Sequence, residues 1–226
     1  MTEGILLSKL EAGPDFDLWL IDLAAQLALE TWACLSDGER AKAARFVFER
    51  DRRRYVAAHI GLRMLLSAET SLPPESIAFQ EGPFGKPFLV APVRPSFNLS
   101  HSEDTGVVLI ARQGDWGVDI EHLRPMPDAT HLAERNFSAA ECKALGLVAA
   151  EERHAAFLTG WTRKEACLKA IGSGLSIPPN VFTAGIGHDL RTLAVPTPQG
   201  CARVVVQSRL QGRNLVLAWA RLLPPE

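Results

Sequence analysis

The arrangement of apolar and polar residues predicts the same order of elements twice along the chain. Short apolar runs at 19–23 and 116–120 each contain one Asp and are typical of strands. In each half a Ser then precedes a Glu by three residues, at 36–39 and at 138–141. This spacing predicts a capping box, in which each side chain satisfies a backbone N–H at the start of a helix.

A second helical stretch in each half ends before a Pro-Pro pair, at 73–74 and at 178–179. Proline cannot continue a helix and restricts the residue before it. Apolar runs at 107–112 and 215–221 then close the halves as buried strands. The spacing between matched landmarks only increases along the chain, as a duplication followed by loop insertions would produce.

The fold expected from this pattern is α+β, with two similar subdomains that each contain a strand, two helices and antiparallel strands. The two subdomains would pack as an intramolecular pseudo-dimer. Polar residues around a glycine at 113–115 predict the boundary, which gives subdomains 1–113 and 114–226.

Composition narrows the class of protein. Of the 226 residues 47% are hydrophobic and 22% are charged, which is typical of a soluble globular protein, and the net charge of −2 argues against a nucleic-acid partner. Four scattered cysteines indicate free thiols in a reducing compartment rather than a zinc site or disulfides. The sequence begins without a signal-peptide pattern and has no run of about 18 apolar residues. These features predict a cytoplasmic protein with no membrane partner.

The candidate chemistry centres on a split set of acids. Asp119 and Glu121 flank one apolar residue in a predicted strand, so both carboxylates leave the same face. They repel each other unless a cation lies between them, and hard oxygen ligands of this kind suit Mg²⁺. Glu165 and Lys169 are four residues apart on a predicted helix and share a face. Taken singly, each pair is explained equally well by an ordinary salt bridge.

Basic residues and a turn complete the pattern. Four arginines at 50–54 precede an amphipathic helix and suit a phosphate group, although a solvated helix face is an equally good reading. Lys86 follows Gly85 in a turn between two prolines, and Ser100-His101 ends an alternating run. Alone, these features indicate a hairpin and an end-of-strand hydrogen bond, and Ser100 is not expected to be a nucleophile. Together with the acids they describe a metal-bridged pyrophosphate clamp.

The ordered motifs resemble those of the 4′-phosphopantetheinyl transferase superfamily, and the double length resembles its Sfp-type branch. The similarity spans most of the chain and rests on Gly85-Lys86-Pro87, Phe97 through Ser102, Gly117-Val118-Asp119-Ile120-Glu121, Phe137-Ser138 with Glu141, and Trp161 with Lys164-Glu165-Ala166 and Lys169-Ala170. In that family coenzyme A binds between the halves. The resemblance implies that Mg²⁺ bridges the pyrophosphate of coenzyme A to Asp119, Glu121 and Glu165.

The implied reaction moves the phosphopantetheine arm of coenzyme A to a serine of an apo acyl, polyketide or peptidyl carrier protein. Adenosine 3′,5′-bisphosphate is released. The catalytic residues implied by the resemblance are Glu165 as general base and metal ligand, Lys169 as the cation beside the leaving group, and Glu121. Their division of roles stays open at this point.

The same resemblance places several residues on coenzyme A. Its phosphates would be contacted by Lys86, Ser100, His101 and Lys164, and its 3′-phosphate by Arg54. Arg63 is the second preferred phosphate ligand of the basic helix. Where some relatives have lysines before this helix, the chain has Phe48-Glu49, so contacts to the adenosine end are the weakest inference.

Two other functions fit the same residues. The protein could be a catalytically idle coenzyme A-binding protein, or a Mg²⁺-dependent pyrophosphohydrolase that cleaves coenzyme A with water.

The extended loop at 123–127 is a candidate docking surface for carriers, because two prolines hold it extended and Met126 offers adaptable apolar contact. The duplicated chain would be a monomer.

Overall fold

The computed structural model describes residues 7–90 and 95–224. The chain forms two compact units. The first unit comprises the residues up to Gln80 and Pro87–Gln113, and the second comprises Glu81–Lys86 and Gly114–Glu226. The turn that carries Lys86 therefore belongs with the second unit, whereas the sequence-based division at 113 assigned it to the first.

The strands and α-helices described in the first unit are β1 (Leu7–Ala12), β2 (Phe16–Asp22), α1 (Asp37–Ala43), α2 (Glu49–Thr70), β3 (Phe79–Glu81), β4 (Pro87–Leu89), β5 (Ser96–Ser102) and β6 (Thr105–Ala111). Four of the strands form an antiparallel sheet with the order β1-β2-β6-β5. β3 and β4 form a separate two-stranded ribbon. α2 lies so close to β2 that a Cβ on Gly61 would come within 2.7 Å of the Ile21 side chain. This contact is part of an apolar core between helix and sheet.

The second unit contains an antiparallel sheet with the order β7-β10-β9-β8 and three helices. Its elements are β7 (Trp116–His122), α3 (Ala129–Asn136), α4 (Ala139–Gly146), α5 (Arg153–Ile171), β8 (Arg191–Thr197), β9 (Gly200–Gln211) and β10 (Leu215–Leu222). One face of α5 packs on the apolar side chains of β9 and β10. The predicted mixture of helices and sheet is confirmed.

Helix boundaries follow the local signals in the sequence. Ser36 and Ser138 both form complete capping boxes with the Glu three residues later. α2 ends at Ser71 and α5 at Gly172, each in the left-handed region, and a Pro-Pro pair follows in both cases. No helix in the described part of the chain is long and apolar enough to span a membrane.

Gly117 brings β7 against α5 at backbone distance. A Cβ at this position would lie 2.2 Å from the carbonyl oxygen of Ala166 and 2.3 Å from the amide nitrogen of Ala170. These are backbone atoms, which cannot rotate away as a side chain could. The glycine therefore sets how closely the strand that carries Asp119 approaches the helix that carries Lys169.

We expect Gly117→Ala to destabilise the protein by about 2–3 kcal/mol, because strand and helix have to separate to admit one methyl group. Urea unfolding followed by circular dichroism measures the loss. Gly146→Ala is the matched control, since a Cβ there meets no atom within 4 Å. Equal stabilities of the two variants would contradict the packing argument.

Candidate functional site

Three carboxylates, here named the acid cluster (Asp119, Glu121 and Glu165), lie on two packed elements of the second unit. Asp119 and Glu121 are on β7, and Glu165 is on α5. Asp119 is buried, and its Oδ1 accepts an ion-paired hydrogen bond from Lys169 Nζ at 2.6 Å. Lys169 follows Glu165 by one helical turn, so the helix presents an acid and a base to the same strand. The structure therefore brings together the two motifs that the sequence separates.

The electrostatics of the acid cluster favour a cation. Burial raises the pKa of Glu165, and the negative charge of Asp119 raises it further. Lys169 opposes this shift, and Glu121 adds a smaller contribution in the same direction as Asp119. A group whose pKa is raised by neighbouring acids lies in a negative potential, where a positive ion is stabilised.

Whether the acid cluster fits Mg²⁺ depends on chemistry and on arrangement. Residues 7–90 and 95–224 contain no three His, Cys, Asp or Glu side chains already arranged to hold a metal ion. Asp119 is paired with Lys169, and Glu121 with Arg124 at 2.9 Å. The three carboxylates nevertheless act on one another electrostatically, and they supply the hard oxygen ligands that Mg²⁺ prefers. The chemistry of the donor set fits the ion, although two of the three carboxylates are paired with a cation of the protein in this structure.

Lys86 lies at the C-terminal end of α5. Its Nζ donates a hydrogen bond to the carbonyl oxygen of Ala170 at 3.0 Å and lies 3.6 Å from Asp115. Burial lowers the pKa of Lys86, and Asp115 counteracts the shift. A Cβ on Gly172 would be 3.2 Å from the Lys86 side chain, so the glycine leaves room for it. The predicted turn thus delivers a partly desolvated cation to the helix that carries Glu165.

The first unit carries the other predicted phosphate ligands. Ser100 is buried and His101 exposed on β5, as the alternation of side chains along a strand requires. Arg54, on α2, pairs with Asp104 at 2.8 Å in the turn after β5. The hydrogen bond from Arg54 lowers the pKa of Asp104. Helix and hairpin therefore hold Arg54 beside the strand that bears Ser100 and His101.

Lys164 is not available to coenzyme A, and its assignment as a cofactor-binding residue is corrected here. Its side chain is 0% exposed, and Nζ lies 2.7 Å from Glu141 Oε2. Nζ also donates to the carbonyl oxygens of Pro179 at 2.7 Å and Phe182 at 2.6 Å. These three contacts use all the donors of an ammonium group. Through these hydrogen bonds Lys164 instead connects α5 to the segment 179–182.

Arg63 has the corresponding place in the first unit and is likewise not a phosphate ligand. It is 1% exposed, and its Nε donates to Glu39 Oε2 at 2.8 Å. One of its guanidinium nitrogens donates to the carbonyl oxygens of Pro74 and Ile77. A capping-box glutamate thus binds a buried cation of the following helix in both units. The sequence signal is the Glu of each capping box, whose spacing predicts the cap but not the ion pair.

The Glu39 cluster predicts an acid-sensitive contribution to stability. Burial by itself would raise the pKa of Glu39, but hydrogen bonds from His59, Arg63 and Ser36 outweigh it and lower the pKa from 4.5 to about 2. Between these values the unfolded chain binds the proton more tightly than the folded protein does. The stabilisation is therefore complete above about pH 4.5 and is lost as the pH falls towards 2.

We expect Glu39→Gln to flatten the decrease in unfolding free energy between pH 5 and pH 3, to which Glu39 contributes about 2 kcal/mol in the unsubstituted protein. Urea titrations at several pH values measure the slope. Glu69→Gln, at the exposed C-terminal end of α2, is the control. A slope unchanged by Glu39→Gln would show that the cluster does not carry this pH dependence.

Comparison with known proteins supports the assignment of the chain to a family, independently of the structure. A model of the 4′-phosphopantetheinyl transferase superfamily matches residues 115–219. A model of the N-terminal part of 4′-phosphopantetheinyl transferases matches residues 24–114. The first match contains the whole acid cluster, Lys169 and Lys164, and the second contains Arg54, Lys86, Ser100 and His101.

Individual relatives agree with these matches. The 4′-phosphopantetheinyl transferase psf-1 of Bacillus pumilus is 37% identical over 171 residues, covering 75% of this chain and 71% of that protein. A provisionally named 4′-phosphopantetheinyl transferase of Synechocystis sp. is 35% identical over 165 residues, covering 72% of this chain and 67% of the relative. For the transferase HetI of Nostoc sp. the identity is 37% over 147 residues, with 64% and 62% covered. The chain belongs to the 4′-phosphopantetheinyl transferase superfamily, in its double-length, Sfp-type branch.

Proposed function

We propose that this protein transfers the 4′-phosphopantetheine arm of coenzyme A to a serine of an apo acyl, polyketide or peptidyl carrier protein. The observation that carries the proposal is the acid cluster packed against Lys169, within the segment that matches the superfamily. A negative patch with one adjacent lysine suits a substrate whose charged pyrophosphate arrives with a metal ion. The coarser conclusion, that the chain is a transferase of this superfamily, does not depend on these residue roles.

We infer that Asp119, Glu121 and Glu165 would hold Mg²⁺. When bound, the ion would neutralise charge on the pyrophosphate of coenzyme A. The carboxylates supply hard oxygen ligands, and burial of Asp119 limits competition from water. Lys169, which pairs with Asp119 in this structure, would be the cation beside the substrate.

We expect coenzyme A to be held through its phosphates. In the first unit, Arg54 would bind the 3′-phosphate through its guanidinium, and Ser100 and His101 would donate to phosphate oxygens. In the second unit, Lys86 has three donors, so it can keep the carbonyl of Ala170 while it meets a phosphate. Its partial desolvation strengthens such a contact.

Glu165 would act as the general base. Its raised pKa makes it a stronger base than an ordinary carboxylate, and it would take the proton from the carrier serine, directly or through one water. The serine oxygen then forms a bond to the phosphorus of the phosphopantetheine arm, while the bridging P–O bond to the adenosine part breaks. Adenosine 3′,5′-bisphosphate leaves, and Lys169 stabilises the charge that develops on its leaving oxygen. Glu121 supports the metal.

We also infer that the two units arose by duplication. β2, β6 and β5 are neighbours in the first sheet in the same order as β7, β10 and β9 in the second. Each unit also pairs a capping-box glutamate with a buried cation. Packing of the units as an intramolecular pseudo-dimer, a monomeric state and a cytoplasmic location stay predictions.

The test is intact-mass spectrometry of a panel of apo carrier proteins incubated with this protein, coenzyme A and Mg²⁺. A gain of one phosphopantetheine group on the carrier, abolished by a chelator, is the expected result. An unmodified carrier panel together with measurable coenzyme A binding would instead support an idle binding protein. Breakdown of coenzyme A without any carrier would support the pyrophosphohydrolase.

A further inference from the structure

Arg124 holds one member of the acid cluster and has no role in the reaction described above. Its NH1 donates to Glu121 Oε2 at 2.9 Å and to the carbonyl oxygen of His122 at 3.1 Å. The Arg124 side chain is 42% exposed, whereas that of Glu121 is 19% exposed. The guanidinium is therefore the more exposed member of this ion pair.

The loop delivers Arg124 to this position through its backbone. Leu123 donates its N–H to the carbonyl of Asn214 at 2.7 Å, and its side chain packs against the apolar core of the second unit. Met126 packs against the same core. Pro125 restricts the residue before it to extended conformations. The backbone on both sides of Arg124 is therefore anchored, which places the start of its side chain close to Glu121.

Both carboxylates of β7 thus have a cation of the protein as partner. Asp119 pairs with Lys169, and Glu121 pairs with Arg124. A divalent cation that arrives alone has to share these carboxylates with two fixed positive charges, which repel it. A pyrophosphate that arrives with the ion offers both cations new anionic partners, and this repulsion is relieved.

From this pairing we propose that Arg124 is a positioning residue that weakens binding of a free divalent cation and so couples metal entry to the pyrophosphate of coenzyme A. The inference rests on the proposed function, since it takes the acid cluster to be the metal site. Removal of one positive charge a few ångströms from a divalent ion should strengthen free metal binding about five- to tenfold, given partial solvent screening.

The experiment titrates the full-length protein with Mn²⁺ and follows the free ion by its electron paramagnetic resonance signal. Arg124→Gln removes the charge, and Arg124→Lys keeps it. Arg191→Gln is the matched control, because Arg191 is 39% exposed and pairs with Asp189 at 3.2 Å elsewhere in the same unit. Thermal unfolding confirms that all variants are folded.

Without coenzyme A, we expect Arg124→Gln to bind Mn²⁺ about five- to tenfold more tightly than the unsubstituted protein, with the other two variants within about twofold of it. With coenzyme A, the Mn²⁺ affinity of the unsubstituted protein should rise by a larger factor than that of Arg124→Gln. If Arg124 had a purely structural role, Arg124→Gln would change neither the Mn²⁺ affinity of the free protein nor the effect of coenzyme A on that affinity.

Two results overturn the proposal in distinguishable ways. Mn²⁺ binding by Arg124→Gln that is equal to or weaker than that of the unsubstituted protein, or an equal effect of coenzyme A on both, removes the role of Arg124. The proposed transferase chemistry would survive that result. If no protein in the series binds Mn²⁺ even with coenzyme A, both the Arg124 proposal and the proposed metal site are wrong.

Discussion

Replacing Glu165 with glutamine is expected to lower the rate of phosphopantetheine transfer by about three orders of magnitude, as loss of a general base and metal ligand would. Glutamine has nearly the same shape, so the packing of α5 on β7 should persist. The same variant should be more stable than the unsubstituted protein near neutral pH. Burial and the charge of Asp119 raise the pKa of Glu165, which means that its ionised form is destabilised in the folded state.

Two measurements test this pair of expectations. Single-turnover transfer to an apo carrier, followed by intact mass, gives the rate, and thermal unfolding without metal gives the stability. Glu134→Gln, on the exposed surface of α3, is the matched control and should change neither. Transfer by Glu165→Gln within about tenfold of the normal rate would show that another group accepts the proton.

Replacing Lys164 with methionine is expected to destabilise the second unit by about 3–5 kcal/mol, because it leaves the buried carboxylate of Glu141 without its cation. Methionine fills a similar volume, so loss of packing makes only a small contribution. The substitution also removes the hydrogen bonds to Pro179 and Phe182 that hold the following segment. Activity should fall along with stability, since Glu165 is the next residue on the helix.

Urea unfolding of the full-length protein measures this loss of stability. Combining Lys164→Met with Glu141→Gln should recover part of the stability, because the unpaired charge is gone while the side chain still bonds to the N–H groups of Ala184 and Gly185 through its amide oxygen. Lys143→Met, on the exposed face of α4, is the control for loss of a lysine. A destabilisation by Lys164→Met no larger than that of Lys143→Met would contradict the buried ion pair.

The fold shows which signals in the sequence were sufficient. Capping boxes at Ser36 and Ser138 act within four residues, so they form as local spacing predicts. The mixed helix-and-sheet class followed from alternation along the strands and the helical stretches between them. The place of the turn at Glu81–Lys86 in the chain predicts that it belongs to the first subdomain, but Lys86 contacts the end of α5 in the second unit.

The candidate site likewise has features that the sequence predicts and features that only the structure shows. The sequence by itself identified Asp119, Glu121, Glu165 and Lys169, because the period of a strand and of a helix fixes which side chains share a face. The helical period places Lys164 and Glu165 on different faces, but it does not say which of the two faces is enclosed by the rest of the protein.

Only the tertiary structure decided that Lys164 is enclosed with Glu141, and that Asp119 pairs with Lys169. Burial and charge pairing depend on residues far apart in the chain, and these distances are set by packing. The sequence therefore determined the helices, the strands and the chemistry of the acids. The close approach of β7 and α5 at Gly117 decided which charged side chains of these two elements pair.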